Sequence, residues 1–259
     1  MEIKLILCDL DGTLLCSDKT ISDKSAEILE QCRKNGILIG FSTSRGRANI
    51  IPFEEKIKPD ILICNGGASM ICKGKLIYTK TFTLEQTRRM LAAAYEVCGD
   101  DAEITLDTLD SIYWNRKHDK STDYDWNSGY DDFRDFKEPA MKICVQTDKK
   151  DIAQKIAASV PGCDMLPFSD IPWYKYSAAN ATKEAAISFL CDYLRITPES
   201  LIAFGDDHND IGMLKMCGTG VAMGNAIKEV KDVAAFIAKT NDDDGVACFL
   251  QEYVLGKEY

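Results

Sequence analysis

The sequence predicts an α/β protein: a doubly wound parallel sheet carrying an inserted, smaller α+β domain. Three observations predict it. First, short apolar runs recur at residues 5–8, 37–41, 61–64, 201–204 and 233–237 without alternating with polar residues. Unbroken runs of this length suit strands buried on both faces, as in a parallel sheet covered by helices. Second, amphipathic segments fall between these runs, and strand–helix alternation marks a doubly wound sheet. Third, the stretch from 83 to 179 breaks that rhythm. We therefore expect a core of residues 1–82 and 180–259, interrupted by a domain over 83–179.

Each element has its own signal. Ser22 is placed to cap a helix with Ala26, Leu29 and Cys32 on one side, ending at Gly36. A second core helix opens near Thr182 and carries Ala186, Phe189, Leu190 and Tyr193, with Pro198 beyond its end. A third follows Asn209 and carries Ile211, Leu214 and Met216. In the insertion, residues 84–98 and 151–159 read as helices and 141–145 and 173–176 as strands.

Composition narrows the function classes. A chain of 259 residues is long enough for a substantial core. A formal net charge of -10 provides no field to gather nucleic acid or anionic lipid, so neither is expected as a partner. The 11 cysteines form no CxxC pair and only two histidines accompany them, which argues against zinc. Cys8, Cys64 and Cys144 sit in apolar runs and read as small buried hydrophobes. No secretory leader pattern or bilayer-length apolar stretch is present, so a reduced, cytoplasmic setting is expected.

The chemistry is concentrated after two of the apolar runs. Asp9-Leu10-Asp11-Gly12-Thr13-Leu14 follows the first. Ligands gather at the carboxyl ends of strands in such sheets, and side chains two apart in extended chain share a side. Asp9 and Asp11 are thus expected to face one site, with Gly12 letting the backbone turn. The bland alternative is an Asp-Gly turn. Gly205-Asp206-Asp207-His208-Asn209-Asp210 follows another run and adds acids at the same sheet edge; its bland alternative is a solvated loop with a helix cap. Two carboxylates 4 Å apart repel by roughly 1–4 kcal/mol, so such a cluster calls for a cation. Oxygen ligands on a compact site favour Mg²⁺. Thr43 closes the second strand and offers a hydroxyl to phosphate; Lys183 opens a helix and offers a charge.

In this order the four pieces resemble the four motifs of the haloacid-dehalogenase superfamily. Thr43-Ser44-Arg45, Asn65-Gly66-Gly67-Ala68, residues 220–226 and Asp244-Gly245-Val246-Ala247 extend the resemblance to its Cof-type sugar-phosphate phosphatases. Two neighbours depart from that pattern: Ser44 and Glu184 stand where glycine is usual. One βα unit fills the gap from Asp11 to Thr43, whereas the gap from Thr43 to Lys183 is several times longer. The insertion there resembles the type II caps of the family.

The resemblance implies a phosphatase acting on a small phosphorylated metabolite. Asp9 is then the nucleophile and Asp11 the acid and base. Thr43, Lys183 and Asn209 hold the phosphate, Arg45, Asn65 and Gly66 meet the substrate, and Asp9, Asp11, Asp206 and Asp210 surround Mg²⁺. A monomer or homodimer is expected. A phosphomutase, a non-catalytic phosphate sensor and a plain dinucleotide-binding protein are the competing readings; DLDGTL where GxGxxG is needed argues against the last. Within the insertion, Tyr113, Trp114, Tyr124, Trp126, Tyr130, Phe133 and Phe136 interleave with aspartates. They read either as a lid over a leaving group or as domain core or a subunit interface.

Overall fold

The computed structural model describes residues 2–117, 128–168 and 171–256. In chain order the elements are β1 (Leu5–Cys8), α1 (Asp23–Lys34), β2 (Leu38–Ser42), α2 (Ile51–Ile57), β3 (Ile61–Cys64), β4 (Ser69–Cys72) and β5 (Lys75–Thr79). Next come α3 (Leu84–Cys98), β6 (Ile104–Asp107), β7 (Ile112–Trp114), β8 (Gly129–Tyr130), β9 (Lys142–Gln146), α4 (Lys150–Ala158), β10 (Asp164–Pro167) and β11 (Trp173–Ser177). The chain continues through α5 (Lys183–Leu194), β12 (Leu201–Gly205), α6 (Ile211–Met216), β13 (Thr219–Ala222), α7 (Lys228–Lys231), β14 (Phe236–Ile237) and α8 (Gly245–Tyr253).

These elements form two compact units. The first comprises Met1–Ser44, Ile51–Tyr78 and Thr182–Tyr259. It holds an eight-stranded sheet ordered β14-β13-β12-β1-β2-β3-β4-β5. The strands from β14 to β3 are parallel, and β4 runs antiparallel to β3. The expected doubly wound α/β core is therefore present. β1 lies between β12 and β2, with Leu5 opposite both Leu201 and Leu38. Its four residues are fully buried, as an unbroken apolar run in mid-sheet should be. Helix α1 packs against α2 and α8, and α5 against α6. Ser22 caps α1 by accepting from Ser25 N, as its position predicted.

Two stretches of this unit depart from expectation. The run at 233–237 is not a doubly buried strand. The amides of Val233 and Ala234 still donate to Val230 O in the turn after α7. Only Phe236 and Ile237 pair, with β13 alone, and this sheet-edge position leaves them exposed. The sheet also gains β4 and β5, which were not anticipated. They are joined by Lys73-Gly74, both at positive φ, the pairing that two-residue hairpin turns require.

The second unit comprises Arg45–Ile50 and Thr79–Ala181. Its sheet runs β10-β11-β9-β6-β7-β8, antiparallel except for the β7–β8 pair. Helix α3 packs against α4 and opens with a capping box between Thr83 and Gln86. Phe133 and Phe136 are buried and meet edge to face at 5.6 Å, and Tyr113 meets Phe136 at 5.4 Å. Phe133 and Phe136 thus belong to the domain core, with the half-buried Tyr113 packed against it. Tyr130 is exposed, the Arg116 guanidinium lies 5.2 Å from the Trp114 ring, and Tyr124 and Trp126 fall outside the described residues.

No helix among the described residues is long and apolar enough to cross a membrane. All eleven cysteines are free thiols.

Gly40 of β2 is closely packed between its neighbouring strands, where an added Cβ would meet Leu7 Cδ2 at 2.7 Å and Ile61 Cβ at 3.0 Å. Gly40→Ala is expected to lower stability by about 1–3 kcal/mol through overpacking. Urea denaturation checks this through a fall in midpoint at unchanged slope.

Candidate active site

The backbone brings the two acidic motifs together because β1 and β12 are adjacent parallel strands ending at the same edge. Asp9 follows β1, and its amide donates to Phe204 O of β12. From there the chain turns through Leu10–Leu14, with Gly12 at φ +71°. A Cβ at Gly12 would overlap the Asp206 carboxylate, so glycine is demanded both by the backbone angle and by the close approach. Gly205 is constrained by close approach alone, because a Cβ there would overlap Asp210.

Asp9, Asp206 and Asp210 each present a carboxylate oxygen, and these oxygens lie within 4.8 Å of one another. Lys183 reaches into the cluster from the first turn of α5. Its Nζ donates to Asp9 Oδ1 at 2.7 Å, to Asp210 Oδ1 at 2.6 Å, and to Ser42 O. Lys183 is 1% exposed. Burial works to discharge it, but the charges of Asp210 and Asp9 outweigh burial and hold its pKa above the ordinary lysine value.

The acids divide their work. Asp210 Oδ2 accepts from the amides of Asp206 at 3.0 Å and Asp207 at 3.2 Å, so Asp210 braces the turn while its other oxygen meets Lys183. Asp206 accepts from Thr13 Oγ1 at 2.9 Å. Burial, then the charge of Asp210, pushes the Asp206 pKa up to about 7. Asp9 is raised well above the carboxylate range, chiefly by burial, with Lys183 opposing. A cluster in which protons compete for two of three carboxylates is short of positive charge. Its oxygen donors fit a hard divalent cation, with Asp9 and Asp206 the better placed ligands.

The other predicted residues are distributed more widely. The Asp11 carboxylate accepts from Lys19 Nζ at 2.9 Å rather than joining the trio. Thr43 is buried; its amide donates to Ile63 O and its carbonyl accepts from Gly66 N, which ties the end of β2 to the Asn65-Gly66 turn. Asn209 Nδ2 donates to Ser44 Oγ at 2.8 Å, so the serine that replaces the usual glycine supplies an anchor for Asn209. Asn65 sits at φ +54° and is 1% exposed, with neither side-chain oxygen nor nitrogen hydrogen-bonded. Arg45 falls in the second unit, where it donates to Asn49 O. Glu184, the other departure, packs where Gly212 lacks a Cβ.

Sequence reasoning missed three contributors. Thr13 was visible as the last polar residue of the first motif. The Ser42 carbonyl and the Lys19 ammonium carried no signal, because a main-chain acceptor and a loop lysine look alike everywhere.

This fold and this cluster define a class of protein. The family model of haloacid dehalogenase-like hydrolases matches residues 6–250, and the chain belongs to that family. Among its relatives, the 5-amino-6-(5-phospho-D-ribitylamino)uracil phosphatase YitU of Bacillus subtilis (strain 168) is 28% identical, over 98% of this chain and 99% of that protein. YcsE of the same strain, named for the same activity, is 26% identical over 98% of this chain and 97% of its own length. Among solved structures, the phosphatase BT1666 of Bacteroides thetaiotaomicron superposes with a TM-score of 0.84 at 27% identity, covering 97% of this chain and 95% of that one. The subclass IIB sugar phosphatase BT4131 shares the fold, with a TM-score of 0.84 at 23% identity over 96% and 98% of the two chains. The chain is accordingly an enzyme of the phosphatase type, acting on small phosphorylated substrates.

Removing Lys183 would leave Asp9 and Asp210 facing each other in a buried site. Without added metal, Lys183→Met is expected to cost about 3–5 kcal/mol, the penalty for stripping one partner from a buried ion pair. Urea denaturation in chelator measures it, and a loss under 1 kcal/mol would mean that the lysine does not hold the cluster together.

Proposed function

We propose that the enzyme hydrolyses a small phosphate monoester through an aspartyl-phosphate on Asp9, with Mg²⁺ as cofactor. The observation carrying this reading is the enclosed Asp9–Asp206–Asp210 cluster threaded by Lys183. An oxygen of Asp9 attacks phosphorus and the P–O ester bond breaks, while Asp11 gives its proton to the departing oxygen. Water then attacks the phosphorus of the acyl phosphate, Asp11 recovers a proton from it, and inorganic phosphate leaves with Asp9 regenerated. Phosphoryl transfer needs positioning and charge stabilisation above all, and Lys183, Thr43 and Asn209 are the residues to supply them to the phosphate oxygens.

The carboxylates of Asp9 and Asp206 and the backbone carbonyl of Asp11 would hold Mg²⁺, with Asp210 behind them as the brace. When bound, the ion neutralises charge on the carboxylates and on the phosphate oxygens. Asn65 and Gly66 are assigned to substrate. The buried amide of Asn65 supports this, since an unmatched donor and acceptor cost free energy until a ligand meets them. Arg45 is assigned to substrate as well, and residues 83–179 to a cap domain that selects the leaving group. The names of YitU and YcsE point to a phosphorylated polyol or sugar as substrate. The intact Asp9, Asp11, Lys183 and Asp206 favour hydrolysis over a sensor role. The phosphomutase reading differs in product, and an assay comparing free phosphate with isomerised sugar phosphate separates the two.

Screening phosphorylated sugars, polyols, nucleotides and vitamin precursors with Mg²⁺ tests the proposal. Asp9→Asn is expected to abolish phosphate release on every active member while leaving the thermal transition in place. Retention of a tenth of the wild-type rate would remove Asp9 as nucleophile.

Mg²⁺ binding is tested separately by thermal denaturation. At a hundredfold excess over its dissociation constant the ion is expected to add about 2.7 kcal/mol of stability. Asp206→Ala is expected to lose most of that gain; an equal gain in both proteins would place the ion elsewhere.

A further inference from the structure

Between the nucleophile turn and α1, residues 16–20 form a tight turn. Cys16 N donates to Thr20 O and Lys19 N to Cys16 O, each at 2.9 Å. The turn is pinned on two sides. Asp18 Oδ1 accepts from Thr20 N at 2.9 Å and from Thr20 Oγ1 at 2.7 Å. Asp242, from the far end of the sequence, accepts from Ser17 N at 2.7 Å and from Ser17 Oγ at 2.6 Å. Both carboxyl groups have pKa values lowered by these bonds, the Thr20 hydroxyl leading for Asp18 and the Ser17 hydroxyl for Asp242.

At the tip stands Lys19, with φ +62°. Residues with a Cβ enter this left-handed region at a cost, and glycine or asparagine would be the undemanding choice. From this conformation Lys19 Nζ reaches back to Asp11 Oδ1 at 2.9 Å. The two side chains are 47% and 40% exposed. Asp11 is thus turned toward solvent, while Asp9, Asp206 and Asp210 converge without it.

We propose that Lys19 is a positioning residue for Asp11: a latch that holds the carboxylate outward and that Asp11 must release before it serves the ester oxygen. The inference rests on the reading of Asp11 as the residue that passes the proton. An ordinary solvated lysine needs neither a left-handed backbone nor a turn anchored by two aspartates. A partly exposed ion pair is also weak enough to open on every turnover, since such pairs shift an equilibrium only severalfold. Lys19 does not touch the substrate. It sets the share of molecules in which Asp11 is available.

Leaving groups provide the test. An alkyl oxygen must be protonated as it departs, whereas 4-nitrophenolate leaves as the anion and does not need Asp11 for that step. The assay compares 4-nitrophenyl phosphate with the primary alkyl phosphate that the wild type turns over fastest, in saturating Mg²⁺. The readout is single-turnover release of the leaving group, which precedes the water step that also uses Asp11. Lys19→Met is expected to speed release of the alcohol about twofold to fivefold. The burst rate of 4-nitrophenolate should be unaltered, and Lys19→Arg should restore the wild-type ratio. In an Asp11→Asn background the Lys19→Met effect should vanish. An unchanged ratio in Lys19→Met, or equal change on both esters, overturns the latch while leaving the role of Asp11 standing. Full alkyl-ester activity in Asp11→Asn overturns both.

Discussion

Lys183 carries a charge into the buried interior of the first unit, and the neighbouring structure follows from that. An ammonium group buried to this degree must have acceptors on every side. Asp9, Asp210 and the Ser42 carbonyl supply them, drawn from three separate strand ends and met by the first turn of α5. Because the lysine claims one oxygen of Asp210, the other is left to brace the turn after β12. Because it claims one oxygen of Asp9, that carboxylate keeps a fixed orientation. The cation locks the site together and also orients its reactive group.

The glycines next to this lock are consequences of its tightness. At Gly12 and Gly205 the neighbouring carboxylates occupy the space a side chain would need. At Gly67 a Cβ would run into the backbone at Thr182 and Lys183, so the turn after Asn65 lies directly against the start of the lysine helix. The chain has thus been stripped of side chains where three loops converge, and the Asn65 amide is buried there without partners. Crowding by main chain and carboxylates, with few apolar groups, keeps the site polar and preorganised.

Much of this was legible in the sequence, for a physical reason. Strands buried on both faces must be apolar throughout, so β1, β2, β3 and β12 announced themselves, and the acids directly after them stand at the strand ends where ligands gather. The edge strands were harder. β14 is exposed and short, and its apolar residues looked like those of a buried strand. β4 and β5 were invisible beside the stronger signal of β3. Asp11 and Arg45 show the same limit. The sequence put each in a loop after a strand, but the direction of a long or exposed side chain depends on its partners, and neither Lys19 nor Asn49 could be paired with them from sequence. The aromatic run of the insertion was ambiguous because a core and a lid draw on the same residue types. Phe133 and Phe136 turned out to be core.

The pairing of β1 with β12 joins Leu5 to Leu201. During synthesis the first strand leaves the ribosome long before its neighbour exists. Until residues near 205 emerge, the edge of β1 that β12 will cover stays open, and the segment bearing Asp9 has neither Lys183 nor Asp206 beside it. Contacts so far apart in sequence are slow to form, and the nascent chain must be kept from pairing that open edge with a stranger. The same delay means that no shorter product of translation brings Asp9, Lys183 and Asp206 together, so the acidic cluster appears only with the completed sheet.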